Sequence, residues 1–266
     1  MKNHFVTSIF VLVLVWCFLA ACTPNKPEDE VIMEPYATYT SNSGGNQSLE
    51  GSPYGYEMWT EGGNNNKLIW YGPNQGGGAA FRAEWNRPND FLGRVGYYWG
   101  NGGKYTSYGN LYCDFKFSRS GRNTAGSYSY IGIYGWSRNP LIEYYIVEDW
   151  FGNQYQSDTE PMGKGTTQGT VIGNFTVDGS VYEIHKATRT NKPSINGTAT
   201  FAQYFSIRQS PRQSGTISIT EHFKKWEELG MTLGNNMYEC KFLVEAGGGT
   251  GWFDASYLTF HQRDDQ

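Results

Sequence analysis

Short runs of alternating apolar and polar residues, rich in Val, Ile, Tyr, Phe and Trp, make up most of the chain after residue 67. Gly, Asn, Ser or Pro bounds each run, which is typical of β-strands. The pattern predicts eleven strands, at residues 68–72, 79–86, 91–99, 110–118, 128–136, 141–149, 170–177, 180–189, 199–208, 215–220 and 238–245. So many short strands, without an internal repeat, predict one all-β domain of two packed sheets, a β-sandwich or jelly roll.

One hairpin and one helix interrupt this pattern. The dipeptide Asp178-Gly179 between two strands is a strong signal for a two-residue hairpin turn. Only residues 221–229 predict a helix, whose apolar stripe consists of Phe223, Trp226 and Leu229. We expect Thr220 to cap its first turn and Gly230 to end it in a left-handed conformation.

The first 50 residues predict export rather than a folded domain. The apolar run Ile9–Ala21 is short for a membrane span but fits a signal peptide at residues 1–21. It ends in Leu-Ala-Ala-Cys22, which is similar to a bacterial lipobox whose cysteine is lipidated after cleavage; a plain secretory signal is the alternative. Residues 22–50 predict a flexible tether, 51–262 the domain and 263–266 a tail. We therefore expect an extracytoplasmic protein, anchored to a bacterial membrane through lipidated Cys22, in a leaflet that the sequence leaves open.

Composition and motifs exclude several functions. Glycine (34 residues) and aromatic residues (17%) are abundant, and the net charge of −4 is spread along the chain, which argues against nucleic acid as a partner. The chain has no phosphate-binding loop, dinucleotide motif or metal-ligand spacing. Its three histidines beyond residue 100 lie far apart in the sequence: His185, His222 and His261. No cofactor is therefore expected. Cys113 and Cys240 fit either one disulfide or two free buried thiols.

Two glutamates on strands are the candidate chemical groups. In a strand from residue 141, Glu143 shares one face with Tyr145 and Val147, while the next face carries Ile142, Tyr144 and Ile146. A carboxylate buried there without a partner costs several kcal/mol, so we expect it to line a wet cleft, although a solvated outer face is the alternative. Glu245 ends another strand just before a glycine run. Two strand-borne carboxylates on a concave, aromatic-rich sheet suit glycoside hydrolysis.

These residues belong to motifs that resemble glycoside hydrolase family 11, the β-jelly-roll endo-β-1,4-xylanases. The resemblance covers residues 56–245 and rests on five segments in family order: Tyr134-Gly-Trp136, Pro140-Leu-Ile-Glu-Tyr-Tyr145, Pro193-Ser-Ile-Asn-Gly197, Gln203-Tyr-Phe-Ser-Ile-Arg-Gln-Ser210 and Gly230-Met-Thr-Leu-Gly234. It implies a sandwich of two curved antiparallel sheets around a cleft, with one helix behind and the 193–197 hairpin as a "thumb". It also implies a monomer that acts on xylan and xylo-oligosaccharides.

The resemblance assigns roles to individual residues. Glu143 matches the nucleophile and Glu245 the general acid/base of a retaining mechanism, which needs carboxyls about 5–5.5 Å apart. We expect the charge of Glu143 to raise the pKa of Glu245. The positions that match substrate-binding or supporting residues are Trp59, Asp90, Tyr134, Tyr145, Arg189, Pro193, Gln203 and Tyr238.

Asp90 matches a position beside the acid/base, which implies a shared proton and an acidic pH optimum; a simple turn residue is the alternative. The chain departs from the family at 246–251, 153–168 and 101–127. Two other functions stay open: a surface glycan-binding protein of this fold without turnover, and a β-glucanase.

Overall fold

The computed structural model describes residues 32–40, 43–46, 49–123, 128–152 and 169–263. The chain divides into two units, residues 1–32 and 33–266, and the second holds every strand and helix of the described residues. The expected signal peptide, Cys22 and the departure at 153–168 lie outside those residues. Within the described ranges, no helix is long and apolar enough to cross a membrane.

In the described residues, two β-sheets form the second unit. Sheet A has six strands in the spatial order β1 (Ala37–Tyr39), β4 (Lys67–Trp70), β5 (Phe81–Asn86), β15 (Thr250–Arg263), β7 (Asn110–Arg122), β13 (Ser214–Ser218). Sheet B has nine strands in the order β10 (Thr170–Val177), β11 (Ser180–Lys192), β12 (Ala199–Arg208), β9 (Ile142–Asp149), β8 (Ser129–Arg138), β14 (Asn236–Ala246), β6 (Asp90–Tyr98), β3 (Tyr54–Glu61), β2 (Ser43–Asn46). Every neighbouring pair is antiparallel except β9 and β12, which are parallel. The prediction of two antiparallel sheets is confirmed apart from this pair.

All eleven predicted strands are present with shifted ends, and four further strands were missed: β1, β2, β3 and β15. β1 pairs with β4, and β2 pairs with β3. The prediction of a flexible tether over residues 22–50 is therefore wrong for residues 37–39 and 43–46. These two strands are short and consist largely of polar residues and glycine, so they have no hydrophobic pattern to predict them. Backbone hydrogen bonds to a neighbouring strand define them instead.

Helix α1 (Ile219–Glu228) begins two residues earlier than predicted. Its N-cap is Ser218, so the prediction that Thr220 caps the helix is wrong. Thr220 lies in the first turn, where its Oγ1 accepts a hydrogen bond from the Leu111 N–H at 2.8 Å. Gly230, with φ 75°, ends the helix as predicted, and its N–H donates back to the last turn at 2.9 Å.

The dipeptide Asp178-Gly179 forms the predicted hairpin turn, with φ values of 50° and 74° in the left-handed region. A single 3-10 helix among the described residues spans Tyr105–Tyr108. Cys113 and Cys240, on facing sheets, are both buried and free, so the disulfide alternative does not hold in this structure.

Side-chain alternation along β9 separates two apolar clusters. Ile142, Tyr144 and Ile146 join the main core, which α1 also contacts through Phe223, whose ring lies 5.1 Å from that of Tyr144. Tyr145 and Val147 join a second cluster on the other face of sheet B. We call this second face the cleft face. The structure therefore places Glu143 on the cleft face, as expected, rather than on a solvated outer surface.

Candidate active site

A cleft of about 430 Å³ lies on the cleft face of sheet B. Its lining comes from strands β3, β6, β8, β9, β11, β12 and β14 and from the hairpin that follows β11. All ten residues singled out from the sequence line this one cleft: Trp59, Asp90, Tyr134, Glu143, Tyr145, Arg189, Pro193, Gln203, Tyr238 and Glu245. The sequence-based set therefore meets in space although it spans most of the chain.

Strand register brings the two glutamates onto the same surface. Glu143 on β9 lies opposite Trp136 on β8 and beside Gln203 on β12. Glu245 on β14 lies opposite Tyr130 on β8, so a single strand separates the two carboxyl-bearing strands. Both side chains are buried, with Glu143 7% and Glu245 5% exposed. Burial of two carboxyls side by side is costly, so their surroundings decide which of them carries a charge.

Three donors surround the Glu143 carboxylate. Its Oε1 accepts hydrogen bonds from the hydroxyls of Tyr134 at 3.0 Å and Tyr145 at 3.1 Å, and its Oε2 accepts one from Gln203 Nε2 at 2.5 Å. Burial raises the pKa of Glu143, while these hydrogen bonds and the positive charge of Arg189 oppose the rise. The donors also fix the orientation of the carboxylate, because Trp136 Nε1 in turn donates to the Tyr134 hydroxyl at 2.5 Å.

Glu245 has two acidic neighbours and fewer hydrogen-bond donors than Glu143. Burial is the first cause that raises the pKa of Glu245 well above its ordinary value, followed by the charges of Asp90 and Glu143. The charge of Glu143, the one cause expected from the sequence, is therefore third rather than first. Among the described residues, Oε2 of Glu245 has no hydrogen-bond partner. A buried carboxyl with few donors and two acidic neighbours favours the protonated form.

The Tyr145 side chain influences both carboxyls. Its hydroxyl donates to Oε1 of Glu143 at 3.1 Å. Hydrogen bonding with Tyr145 lowers the pKa of Glu245, while the charge of Glu143 raises it, so both groups act on Glu245 across the cleft. Burial raises the pKa of both carboxyls, but Glu143 has three donors that favour its charged form, whereas Glu245 has acidic neighbours that favour its protonated form.

Asp90 begins strand β6, so the alternative that it is a turn residue is wrong. Its strand neighbour Leu92 pairs with Glu245, which places Asp90 diagonally from that residue on the cleft face. The pKa of Asp90 is raised to about 7, chiefly by burial; a hydrogen bond from Tyr128 opposes the rise, and the charges of Glu61 and Glu143 support it. Among the described residues, Oδ1 of Asp90 has no hydrogen-bond partner. Asp90 is therefore a second acidic group beside Glu245 that gains from protonation.

Sequence reasoning missed part of the cleft wall. The missed aromatic residues are Tyr128, Tyr130, Trp136, Phe201 and Phe205, and the missed charged residues include Glu57 and Arg94. The two-residue period of a strand could have identified some of them. Glu57 lies two positions before Trp59, as Tyr134 lies two positions before Trp136, so both members of each pair lie on the same face of the sheet. Glu57 and Arg94 had no assigned role in the sequence analysis, unlike the cleft residues Glu143 and Arg189.

The three histidines lie in separate places. His185 contacts Glu183 at 2.7 Å, His261 contacts Asp114 at 3.0 Å, and His222 is fully buried. In the ranges that the structure describes, no three His, Cys, Asp or Glu side chains form a group that could hold a metal ion.

A family model and individual relatives all match this chain and agree on one protein family. "Glycosyl hydrolases family 11" matches residues 51–256. The chain is 47% identical over 218 residues to Endo-1,4-beta-xylanase C of Fibrobacter succinogenes, which covers 82% of this chain and 33% of that protein. It is 44% identical over 206 residues to Endo-1,4-beta-xylanase S20 of Neocallimastix patriciarum, covering 77% of this chain and 57% of that protein. The chain thus spans about a third to just over half of the length of these two relatives.

A solved structure matches over nearly its whole length. The crystal structure of ENZbleach xylanase wild type is 62% identical, with a TM-score of 0.82, and the match covers 91% of this chain and 96% of that chain. Together with a family match over most of the sequence and the paired carboxyls of the cleft, this likeness identifies the chain as a member of glycosyl hydrolase family 11.

Proposed function

We propose that the protein is an endo-1,4-β-xylanase that retains anomeric configuration, with Glu143 as nucleophile and Glu245 as general acid/base. The proposal rests on one observation above all: two buried carboxyls line one cleft, and Glu143 accepts three hydrogen bonds that favour its charged form, whereas the acidic neighbours of Glu245 favour its protonated form. The relatives whose names specify 1,4-β-xylan hydrolysis support the choice of substrate. A retaining mechanism requires the two carboxyls to lie about 5–5.5 Å apart for direct attack on the sugar, whereas an inverting enzyme needs room for water between them.

In the first step, ionised Glu143 attacks the anomeric carbon of the sugar at the cleavage point. The bond from that carbon to the bridging oxygen breaks, and Glu245 donates its proton to the departing oxygen. A covalent glycosyl ester on Glu143 and a shortened xylan chain result. The three donors to Glu143 keep its carboxylate aimed at one position, which reduces the entropy cost of the attack.

In the second step, Glu245 acts as a base. Ester formation removes the negative charge of Glu143, which is one of the causes that raise the pKa of Glu245. The pKa of Glu245 therefore falls, and the carboxylate accepts a proton from the water that attacks the anomeric carbon. The ester bond breaks, Glu143 leaves as a carboxylate, and the sugar keeps its original configuration.

Asp90 holds a proton beside Glu245 in this proposal. Asp90 Oδ1 and Glu245 Oε2 both lack donors among the described residues, and one proton between them satisfies both. The remaining cleft residues bind substrate: Trp59 stacks on a sugar ring, the hairpin at Pro193 closes over the chain, and Arg189 and Tyr238 contact hydroxyls.

The experiment compares Glu143→Gln and Glu245→Gln with a control on the outer face of sheet A, Glu84→Gln. Reducing sugar released from xylan is measured over pH 3–9, and the anomer first formed is followed by NMR. We expect losses of about a thousandfold or more for the cleft variants and no change for the control, because each step needs both groups. Glu143→Gln within tenfold of wild type, or an inverted first product, contradicts the mechanism.

The same assay distinguishes the other functions. Tight binding of xylan by the wild type without sugar release indicates a glycan-binding protein. Faster hydrolysis of mixed-linkage β-glucan than of xylan indicates a glucanase.

We also propose that residues 1–21 are removed, that Cys22 is lipidated, and that the exported protein is a monomer anchored to a membrane. The apolar run and its Leu-Ala-Ala-Cys22 ending support the first two parts. Cys22→Ser is expected to move the protein from the membrane fraction to the soluble fraction. Unchanged fractionation of this variant contradicts the anchor, and a dimer by light scattering contradicts the monomer.

A further inference from the structure

Four charged side chains form an ionic cluster on the cleft face. Arg94 Nη2 lies 2.8 Å from Glu57 Oε2, and Lys241 Nζ lies 2.8 Å from Glu239 Oε2 and 3.5 Å from Glu57 Oε2. Arg94 Nε also lies 3.6 Å from Glu239 Oε1. The two cations therefore each face the same two carboxylates, and the cluster is neutral as a whole.

Exposure distinguishes one member of this cluster. The side chains of Glu239 and Lys241 are 0% exposed and that of Arg94 is 7% exposed, whereas that of Glu57 is 25% exposed. Glu57 also lines the cleft, and it lies two positions before Trp59 on the same face of β3. That spacing is about 7 Å along a strand. The one partly open carboxylate of the cluster thus lies next to the aromatic ring expected to stack on sugar.

A gain in the stability of the fold does not by itself explain why four charged side chains are clustered here. Removing charges from water is costly, and well-packed apolar side chains often replace a buried ion pair without loss. What the arrangement does achieve is orientation: two buried cations hold Oε2 of Glu57, and Glu239 balances their charge. Arg94 also packs over the ring of Tyr134 at 5.2 Å, so the same guanidinium contacts a donor to the nucleophile. Glu57 is therefore fixed relative to the proposed catalytic residues.

We propose that Glu57 is a substrate-binding residue that accepts hydrogen bonds from the hydroxyls of the sugar ring next to the one stacked on Trp59. A carboxylate is an acceptor only, and its bonds from hydroxyl donors are stronger than those between neutral groups. Because Arg94 and Lys241 already hold it, the carboxylate loses little freedom when the sugar binds. This inference rests on the proposed function, since it takes the scissile bond to lie at Glu143 and Glu245.

The proposal predicts dependence on substrate length. In this proposal, a nitrophenyl xylobioside fills the positions at the catalytic carboxyls and on Trp59 and leaves the position at Glu57 empty. Xylohexaose supplies the third ring. Glu57 contributes to binding in the ground state and the transition state alike, so its loss raises KM without lowering kcat.

The test measures KM and kcat of Glu57→Gln and Glu57→Asp on both substrates. Glu57→Asp keeps the charge, and with it the attraction of Arg94 and Lys241, but withdraws the carboxylate by one methylene. The matched control is Glu84→Gln, whose carboxylate is also ion-paired and partly exposed but lies on sheet A. We expect KM for xylohexaose to rise about fivefold to tenfold in both Glu57 variants, with kcat within twofold. The xylobioside constants of these variants and all constants of the control stay within twofold of wild type.

An unchanged KM for xylohexaose in either Glu57 variant overturns the proposal. So does an equal loss on both substrates, which indicates a merely structural role transmitted through Arg94 to Tyr134. If Glu57→Gln does not fold, the Glu57→Asp result alone decides between these outcomes. Failure of the proposed function is distinct, because the wild type then hydrolyses neither substrate.

Discussion

His222 makes the fold sensitive to acid in a way that the structure quantifies. The ring is fully buried in α1 between Phe175 and Tyr182, whose ring centroids lie 5.0 Å and 4.6 Å from it in edge-on geometry. Among the described residues, neither ring nitrogen has a hydrogen-bond partner. Burial, together with the positive charges of Arg212 and Arg208, lowers the pKa of His222 to about 3.

The direction in which pH changes the free energy of unfolding follows from the protonation of His222 in the folded and unfolded states. The folded protein keeps the ring neutral down to about pH 3, whereas the unfolded chain protonates it below the ordinary pKa of 6.5. The unfolded state therefore binds more protons between pH 3 and pH 6.5, and the free energy of unfolding falls as the pH falls through this window. At pH 5, 1.5 pH units below 6.5, the loss is about 2 kcal/mol relative to pH 8, at about 1.36 kcal/mol per unit.

The perturbation is His222→Phe, with His222→Gln as a second neutral variant. Each changes packing by an amount that does not depend on pH, so the informative quantity is the change between pH 8 and pH 5. We expect the wild type to lose about 2 kcal/mol more than either variant over that interval. Denaturant unfolding followed by tryptophan fluorescence at both pH values measures the difference. The same pH dependence in wild type and both variants refutes the argument that His222 is held neutral.

Two further predictions concern the acidic groups of the cleft. Asp90→Asn is expected to shift the pH–activity profile to higher pH, because the pKa of Asp90 is about 7 and the wild type loses activity as that proton leaves. The pH dependence of kcat/KM on xylan measures this shift. A profile that is unmoved or shifted to lower pH counts against a shared proton. Glu245→Gln is expected to melt at a higher temperature than wild type at pH 8 and at a similar one at pH 4. The raised pKa of Glu245 stabilises the fold below the ordinary pKa of 4.5, and this stabilisation is lost as the pH rises through the folded value. Calorimetry measures the melting temperatures of both proteins at both pH values. Equal melting temperatures at pH 8 contradict the view that ionised Glu245 destabilises the fold.

Hydrophobic patterning predicted the strands that carry the catalytic candidates, since β9 and β14 are rich in apolar residues and nearly all of their residues are buried on one face or the other. It missed β15, whose sequence begins with Thr250-Gly251 and mixes charged with apolar residues. It also placed the start of α1 two residues late. There Ser218 ends β13 and begins the helix at once, and both its N–H and its hydroxyl bond to Asp178, a contact that no local pattern reports.

The site itself depends on contacts that are distant in sequence. That Glu143 and Glu245 meet across β8 came from family resemblance, because spacing along one chain gives no register between strands. The cluster of Glu57, Arg94, Glu239 and Lys241 was not predictable for a further reason. Each charged residue alone suggests a solvent-facing position, and only the fold shows that four of them compensate one another.

The proposed mechanism requires a covalent bond between Glu143 and the sugar, and a trapping experiment detects that bond. A 2-fluoro-xylobioside with a good leaving group is incubated with the enzyme, and the labelled peptide is identified by mass spectrometry. The mechanism predicts one glycosyl unit on the peptide containing Glu143, and no label in Glu143→Gln. A label on another residue, or turnover of unfluorinated substrate with an inverted product, contradicts it.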